Sequence, residues 1–151
     1  MIPIHRLISE HFNQEEIDLL CVQVKVDPDD LPSGGKSSRA QYLFDKMRRL
    51  HQTDIFLAAV KRERPFLDLN PYLFYVLADN FYDEDRLGEL FEEFGYDVVT
   101  FGGRGYRALG SRAWIEEKSQ QLQDHLMENG RVELLLAAIQ QQNQQVDLSF
   151  L

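Results

Sequence analysis

The segment Ser33-Gly34-Gly35-Lys36-Ser37 has the residue types of a phosphate-binding loop. In that motif the backbone N–H groups of a glycine-rich turn cradle phosphate oxygens, and a lysine answers their charge. The motif also needs a glycine five positions before its second glycine, and Asp30 stands there. A carboxylate at that point repels phosphate, so the segment reads as a turn leading into a helix. Cys21 with His5, His11 or His51 has the makings of a thiol–imidazole pair. Yet Cys21 falls on an apolar stripe between Leu20 and Val24, where a thiol is buried and inert. Four scattered histidines and one cysteine offer no zinc-ligand spacing. Asp83, Glu84, Asp85, Glu89, Glu92 and Glu93 lack the alternating ligands and central glycine of a calcium loop. They read as a solvated helix face. No catalytic, metal-binding or cofactor-binding residue is expected.

The elements carrying these residues are helical, judged by apolar spacing. Ile4, Leu7, Ile8 and Phe12 form one stripe behind Pro3. Asn13 with Glu16 reads as a capping box that starts a second helix on Ile17, Leu20, Cys21 and Val24. A turn-rich loop spans residues 27–35, and a third stripe follows on Ala40, Leu43, Phe44, Met47 and Leu50. A fourth runs through Ile55, Phe56, Ala59 and Val60, and Pro65 ends it. The pattern restarts at Asn70-Pro71, read as an N-cap and first helical residue for the stripe Leu73, Val76, Leu77 and Phe81. Asp83 opens the next helix, on Leu87, Leu90, Phe91 and Phe94, with Gly95 as its C-cap. A long helix then carries Trp114, Ile115, Leu122, Leu126 and Met127, and a last one carries Val132, Leu135, Leu136 and Ile139. Val22–Val26 alternates but lies in a helical pattern. Tyr96–Phe101 is the better strand candidate and is read as an extended loop. Trp114, Tyr106 and Phe101 flank a loop that is either core or binding surface.

These stripes repeat. Ile17, Leu20, Val24 and Asp27 correspond to Leu87, Leu90, Phe94 and Asp97 at an offset of 70. Leu43, Met47 and residues 55–60 correspond to Leu122, Leu126 and residues 134–139 at an offset of 79. The shift marks a net insertion of nine residues, and Cys21 corresponds to Phe91, as suits a core position. Gly34-Gly35-Lys36 and Gly102-Gly103-Arg104 put two glycines and a base in each central loop. Two domains are expected: 1–67, and a divergent copy at 71–146 with an inserted loop at 98–112.

Charge divides along the same line. The 151 residues carry a net −9. Residues 1–70 hold 10 Lys+Arg and 11 Asp+Glu, and residues 71–151 hold 6 and 14. Such acidity argues against a general nucleic-acid binder and against an anionic membrane as partner. No apolar run approaches the ~20 residues of a membrane span. Met1–Arg6 lacks a signal-peptide layout, and a lone cysteine suits a reducing cytoplasm.

The first copy resembles the effector-associated domains, a bacterial death-like family. The residues carrying the resemblance are Leu7–Phe12, Glu15–Cys21, the loop Val26–Lys36, Arg39-Ala40, and Ala58-Ala59-Val60 running to Arg64-Pro65. The second copy, Tyr72 to about Gln142, resembles the family more loosely. It has the inserted loop and lacks the Asp-Asp-Leu-Pro stretch. The resemblance implies an all-α protein of two tandem death-fold-like helical bundles. It also implies a non-enzymatic adaptor of a prokaryotic conflict (antiphage-like) system. Its partner would carry a similar domain, on a protease or TIR-type effector or on a sensor. Self-association is the other expectation.

Two faces are the candidate protein-binding sites. The basic patch is Arg39, Lys46, Arg48, Arg49, Lys61, Arg62 and Arg64, and the acidic patch is Asp83, Glu84, Asp85, Glu89, Glu92 and Glu93. Complementary patches steer encounter and orientation. Two merely solvated faces are the bland alternative. A small helical DNA-binding regulator is the rival function, resting on the bases of the first copy alone. An unrecognised hydrolase is a third.

Overall fold

The computed structural model describes residues 1–103, 105 and 107–151. Arg104 and Tyr106, the base of the second central loop and one of its flanking aromatics, lie outside the described residues. Among those described, the regular structure is eight α-helices and two short 3-10 turns. The chain forms two compact units, Met1–Tyr72 with Asp147–Leu151, and Leu73–Val146.

The first unit contains α1 (Ile4–His11), α2 (Gln14–Gln23), α3 (Lys36–Arg49) and α4 (Thr53–Glu63). Helix α1 packs on α3, and α2 lies against both α3 and α4. Their apolar stripes supply the core, where Ile8, Ile17, Leu20, Cys21, Leu43, Met47, Phe56 and Leu57 are sealed from solvent. The capping box forms. Asn13 Oδ1 accepts from Glu16 N at 2.8 Å, and Glu16 Oε1 accepts from Asn13 N at 3.0 Å. Two backbone donors that a helix start would leave unmet are thereby satisfied, worth about 1 kcal/mol. Two stripe residues depart from expectation: Leu50 and Ile55 are exposed. Leu50 lies just past the end of α3, where the chain turns away from the core.

The second unit contains α5 (Leu73–Asn80), α6 (Glu84–Glu93), α7 (Arg112–Glu128) and α8 (Val132–Gln142). Helix α5 packs on α7, α6 on α7, and α8 on both α5 and α7. Leu73, Val76, Leu77, Leu87, Phe91, Leu122, Leu126, Leu135 and Ile139 form its core. Asn70 does not cap α5. Asn70–Tyr72 is a separate 3-10 turn, and its buried Tyr72 donates from Oη to Ile2 O at 2.5 Å inside the first unit. A donor in the first turn of α5, Phe74 N, is met by Gln123 Oε1 at 2.6 Å instead. Tyr96–Phe101 is no extended segment either. Phe101 N bonds back to Asp97 O at 2.9 Å, so the chain coils into turns.

Four helices end in one device. The backbone after α2, α3, α6 and α7 takes a left-handed residue, respectively Lys25 (φ 62°), His51 (φ 55°), Gly95 (φ 82°) and Gly130 (φ 65°). In each case the following amide reaches back five residues: Val26 N to Cys21 O, Gln52 N to Met47 O, Tyr96 N to Phe91 O and Arg131 N to Leu126 O, at 2.7–2.9 Å. This 6→1 closure is the Schellman motif.

Candidate interaction faces

The basic residues of the first unit are mostly engaged in holding it together. Arg39 sits in the second turn of α3, and its guanidinium binds Asp18 of α2 at 2.5 Å and the Pro32 carbonyl at 3.1 Å. It thereby ties the 27–35 loop to the bundle. Lys46 pairs with Asp30 at 3.6 Å, and Arg48 with Asp45 at 3.1 Å. Lys61 Nζ donates to Leu67 O at 2.6 Å and secures the chain after α4. Arg64 donates to His11 O at 3.1 Å, forms a short charge-assisted bond with Glu16, and stacks its guanidinium 4.5 Å from the centre of the Phe12 ring. That bond holds the Glu16 carboxyl below its ordinary range. Arg49 and Arg62 are exposed and have no such engagement. Of the seven candidate bases, these two make no internal bond among the described residues and so are available to a partner.

The acidic residues behave differently. Asp83 is the N-cap of α6. It accepts from Arg86 N at 2.8 Å, the main cause that lowers its carboxyl, and makes a short ion pair with the Arg86 side chain that lowers it further. Glu84, Asp85, Glu89, Glu92 and Glu93 are exposed, and none has an ion pair among the described residues. Asp85, Glu89 and Glu92 follow one another at four and three residues, with Glu93 beside them, so four carboxylates share one face of α6. The opposite face carries the buried Leu87, Leu90 and Phe91. A helix that buries one side and concentrates charge on the other presents that charge to solvent or to a basic partner.

The other chemistry-bearing residues resolve into structure. Cys21 is sealed, and burial pushes its thiol up to about 11. Asp30, which breaks the phosphate-loop pattern, is the partner of Lys46. Among the described residues, no three His, Cys, Asp or Glu side chains come together as a metal ion would require. Among the described residues, no helix is long and apolar enough to cross a membrane.

The buried polar residues Thr53, Asp54, Lys118, Ser119 and Gln123 escaped the sequence reading. Lys118 is only 2% exposed, and its ammonium donates to the carbonyls of Val99, Phe101 and Gly103 at 3.3, 2.5 and 3.1 Å. Burial lowers its pKa. The inserted loop is therefore gathered around one buried cation. The Phe101 ring helps hold it, lying 5.3 Å from Phe91 and 4.8 Å from Tyr96 between centroids. Trp114, which flanks the loop, is a core residue. Gln123 and Asp54 are likewise buried. The available signal was positional. Lys118 stands three residues after Ile115 and four before Leu122, on the inward stripe of α7.

No curated protein and no solved structure matches this chain. From α1 to just beyond α4, over residues 4–65, the sequence does match a family model, that of effector-associated domain 7.

Proposed function

We propose that the chain is a non-enzymatic adaptor of a prokaryotic conflict system, acting by docking between death-like domains. The observation that carries this reading is the match of residues 4–65 to an effector-associated domain, a regulatory rather than catalytic kind of module. The partner is an effector such as a protease or TIR protein, or a sensor, bearing a similar domain. Self-association is the companion mode, and a reducing cytoplasm the setting.

The reading extends to two tandem bundles, 1–67 and 71–146, the second interrupted by an inserted loop at 98–112. Several observations support it. Helix α6 spans the same positions as α2 shifted by 70, and α8 the same as α4 shifted by 79. The left-handed residues obey the same offsets, Lys25 with Gly95 and His51 with Gly130. Asn13 and Asp83, again 70 apart, cap their helices alike. Backbone strain at matching places is hard to reach by convergence of composition alone.

The acidic face of α6 is the docking surface on the second bundle, and Arg49 and Arg62 anchor the first. The other five bases of the patch contribute field rather than direct contacts. The test is co-purification of the chain with proteins encoded beside it in its native genome, at low and high salt. Capture of an effector with a similar helical domain, lost on Glu89→Lys/Glu92→Lys/Glu93→Lys, is the expected result. Capture unaffected by that triple reversal overturns the acidic face. Salt-sensitive binding to DNA in place of protein capture overturns the adaptor reading.

A further inference from the structure

Each unit has a shallow groove, and the two grooves are built from corresponding residues. In the first unit, Gln23 and Val24 at the end of α2 line it with Gln52 and Ile55 at the start of α4, around about 290 Å³. In the second, Glu93 and Phe94 at the end of α6 line it with Arg131 and Leu134 at the start of α8, around about 250 Å³. One wall corresponds at an offset of 70 and the other at 79, the offsets that relate the helices themselves. Each groove also has an exposed aliphatic side chain at its edge. Ile55 is 39% exposed and Leu134, its counterpart, 48%. Leu50, exposed as well, lines the first groove beside Ile55. An aliphatic side chain gains by leaving water, and these three gain it only when another surface arrives.

The rims differ in charge. Lys25 lines the first groove, and Arg49 adjoins its Leu50; both are exposed. The acids near this groove are engaged. Glu63 accepts from Gln23 at 2.7 Å, and the buried Asp54 accepts from Asp147 N at 2.8 Å. The second groove has exposed Glu93 in its wall, with exposed Glu92 and Glu133 next to lining residues, against Arg131. The position of Arg49 is taken in the second unit by the exposed Glu128.

We propose that the two grooves bind each other between copies of the chain, the second-unit groove of one copy docking on the first-unit groove of the next. This rests on the reading of the chain as two like bundles that dock with their own kind, and it specifies the self-association contact. Leu134 of one copy enters the first groove of its neighbour, Ile55 of the neighbour enters the second groove, and rims of opposite charge close around them. Pairing first groove with first, or second with second, brings like charges together and is disfavoured. The contact joins two different surfaces, so each copy keeps one groove for a further neighbour, and assembly proceeds to rings or filaments.

Sedimentation velocity of the full chain over a range of concentrations tests this. The natural chain should form species larger than a dimer as concentration rises, and high salt should disperse them. Ile55→Gln and Leu134→Gln alter exposed sites, so helical circular dichroism should be kept while each variant alone stays monomeric. Mixed in equal amounts they should form a 1:1 dimer and stop there, because the mixture contains one intact pair of grooves. Arg49→Glu leaves the apolar side chains in place and should weaken assembly at least about tenfold. A natural chain that stays monomeric overturns the contact. So does self-association retained by either glutamine variant, failure of the mixture to pair, or assembly unaffected by Arg49→Glu. Effector capture by the natural chain reports separately on the adaptor reading: capture by a monomeric chain overturns the groove contact and leaves that reading standing.

Discussion

At the scale of single residues, the helix ends make the sharpest prediction. Lys25 and His51 hold a left-handed backbone that costs an L-residue roughly 1 kcal/mol and costs glycine little. Lys25→Gly and His51→Gly should each raise unfolding free energy by about 0.5–1 kcal/mol in urea melts. Gly95→Ala should lower it by a comparable amount. A gain from Gly95→Ala would mean that the backbone there is not left-handed in solution. Glu16 yields a pH prediction. Its folded carboxyl titrates below the ordinary value of 4.5, chiefly because Arg64 hydrogen-bonds it. A depressed carboxylate stabilises the fold above its unfolded pKa, and the contribution fades as pH falls through the folded one. The difference in Tm between the natural chain and Glu16→Gln should be largest near neutral pH and should close as acidification passes below the ordinary carboxylate range. Cys21 follows from its place in the core. A thiol reagent should label it only at the rate of unfolding.

Helices and loops add a second level. The inserted loop is held by Lys118, whose three carbonyl partners span residues 99–103. Lys118→Met keeps the volume and removes the donors. Faster hydrogen exchange or proteolysis across 97–103, with α7 intact by circular dichroism, is the expected outcome. Unchanged protection there would show that aromatic packing of Phe101 suffices. The α6 face makes the contrasting case. Glu89, Glu92 and Glu93 are exposed and have no ion-pair partner among the described residues, so their joint reversal to lysine should move stability by no more than about 0.5 kcal/mol. That separation of binding from folding is what makes the face testable. Here sequence and structure diverge for a physical reason. Apolar spacing located every helix, because burying a stripe demands the period of 3.6 residues. It did not foresee that Asn70–Tyr72 would form a 3-10 turn, because Gln123, distant in sequence, supplies the partner for α5.

For the whole molecule, charge asymmetry is the dominant fact: residues 71–151 hold 6 bases against 14 acids. Attraction for a basic partner should weaken steeply with salt, because exposed charges act over a Debye length of about 8–10 Å. Binding insensitive to salt would point to an apolar contact instead. The two patches expected from sequence count alike on paper, seven bases and six acids. They differ in the folded protein because Arg39, Lys46, Arg48, Lys61 and Arg64 are bound within the first unit.

What the sequence determined by itself was the set of helices, the capping signals at Asn13 and Asp83, the burial of Cys21 and the resemblance of the first copy to the effector-associated domains. Each of these rests on neighbours within a few turns of chain, where spacing and residue type suffice. Tertiary structure decided which charges are free, why Lys118 and Gln123 are tolerated inside, and that Phe150 belongs to the first unit. Many of those outcomes depend on distant partners: Arg64 reaches His11 across 53 residues, Gln123 meets Phe74 across 49 and Asp54 accepts from Asp147 across 93. No local pattern encodes them, because a side chain's hydrogen-bond partner is set by what the packed core brings beside it.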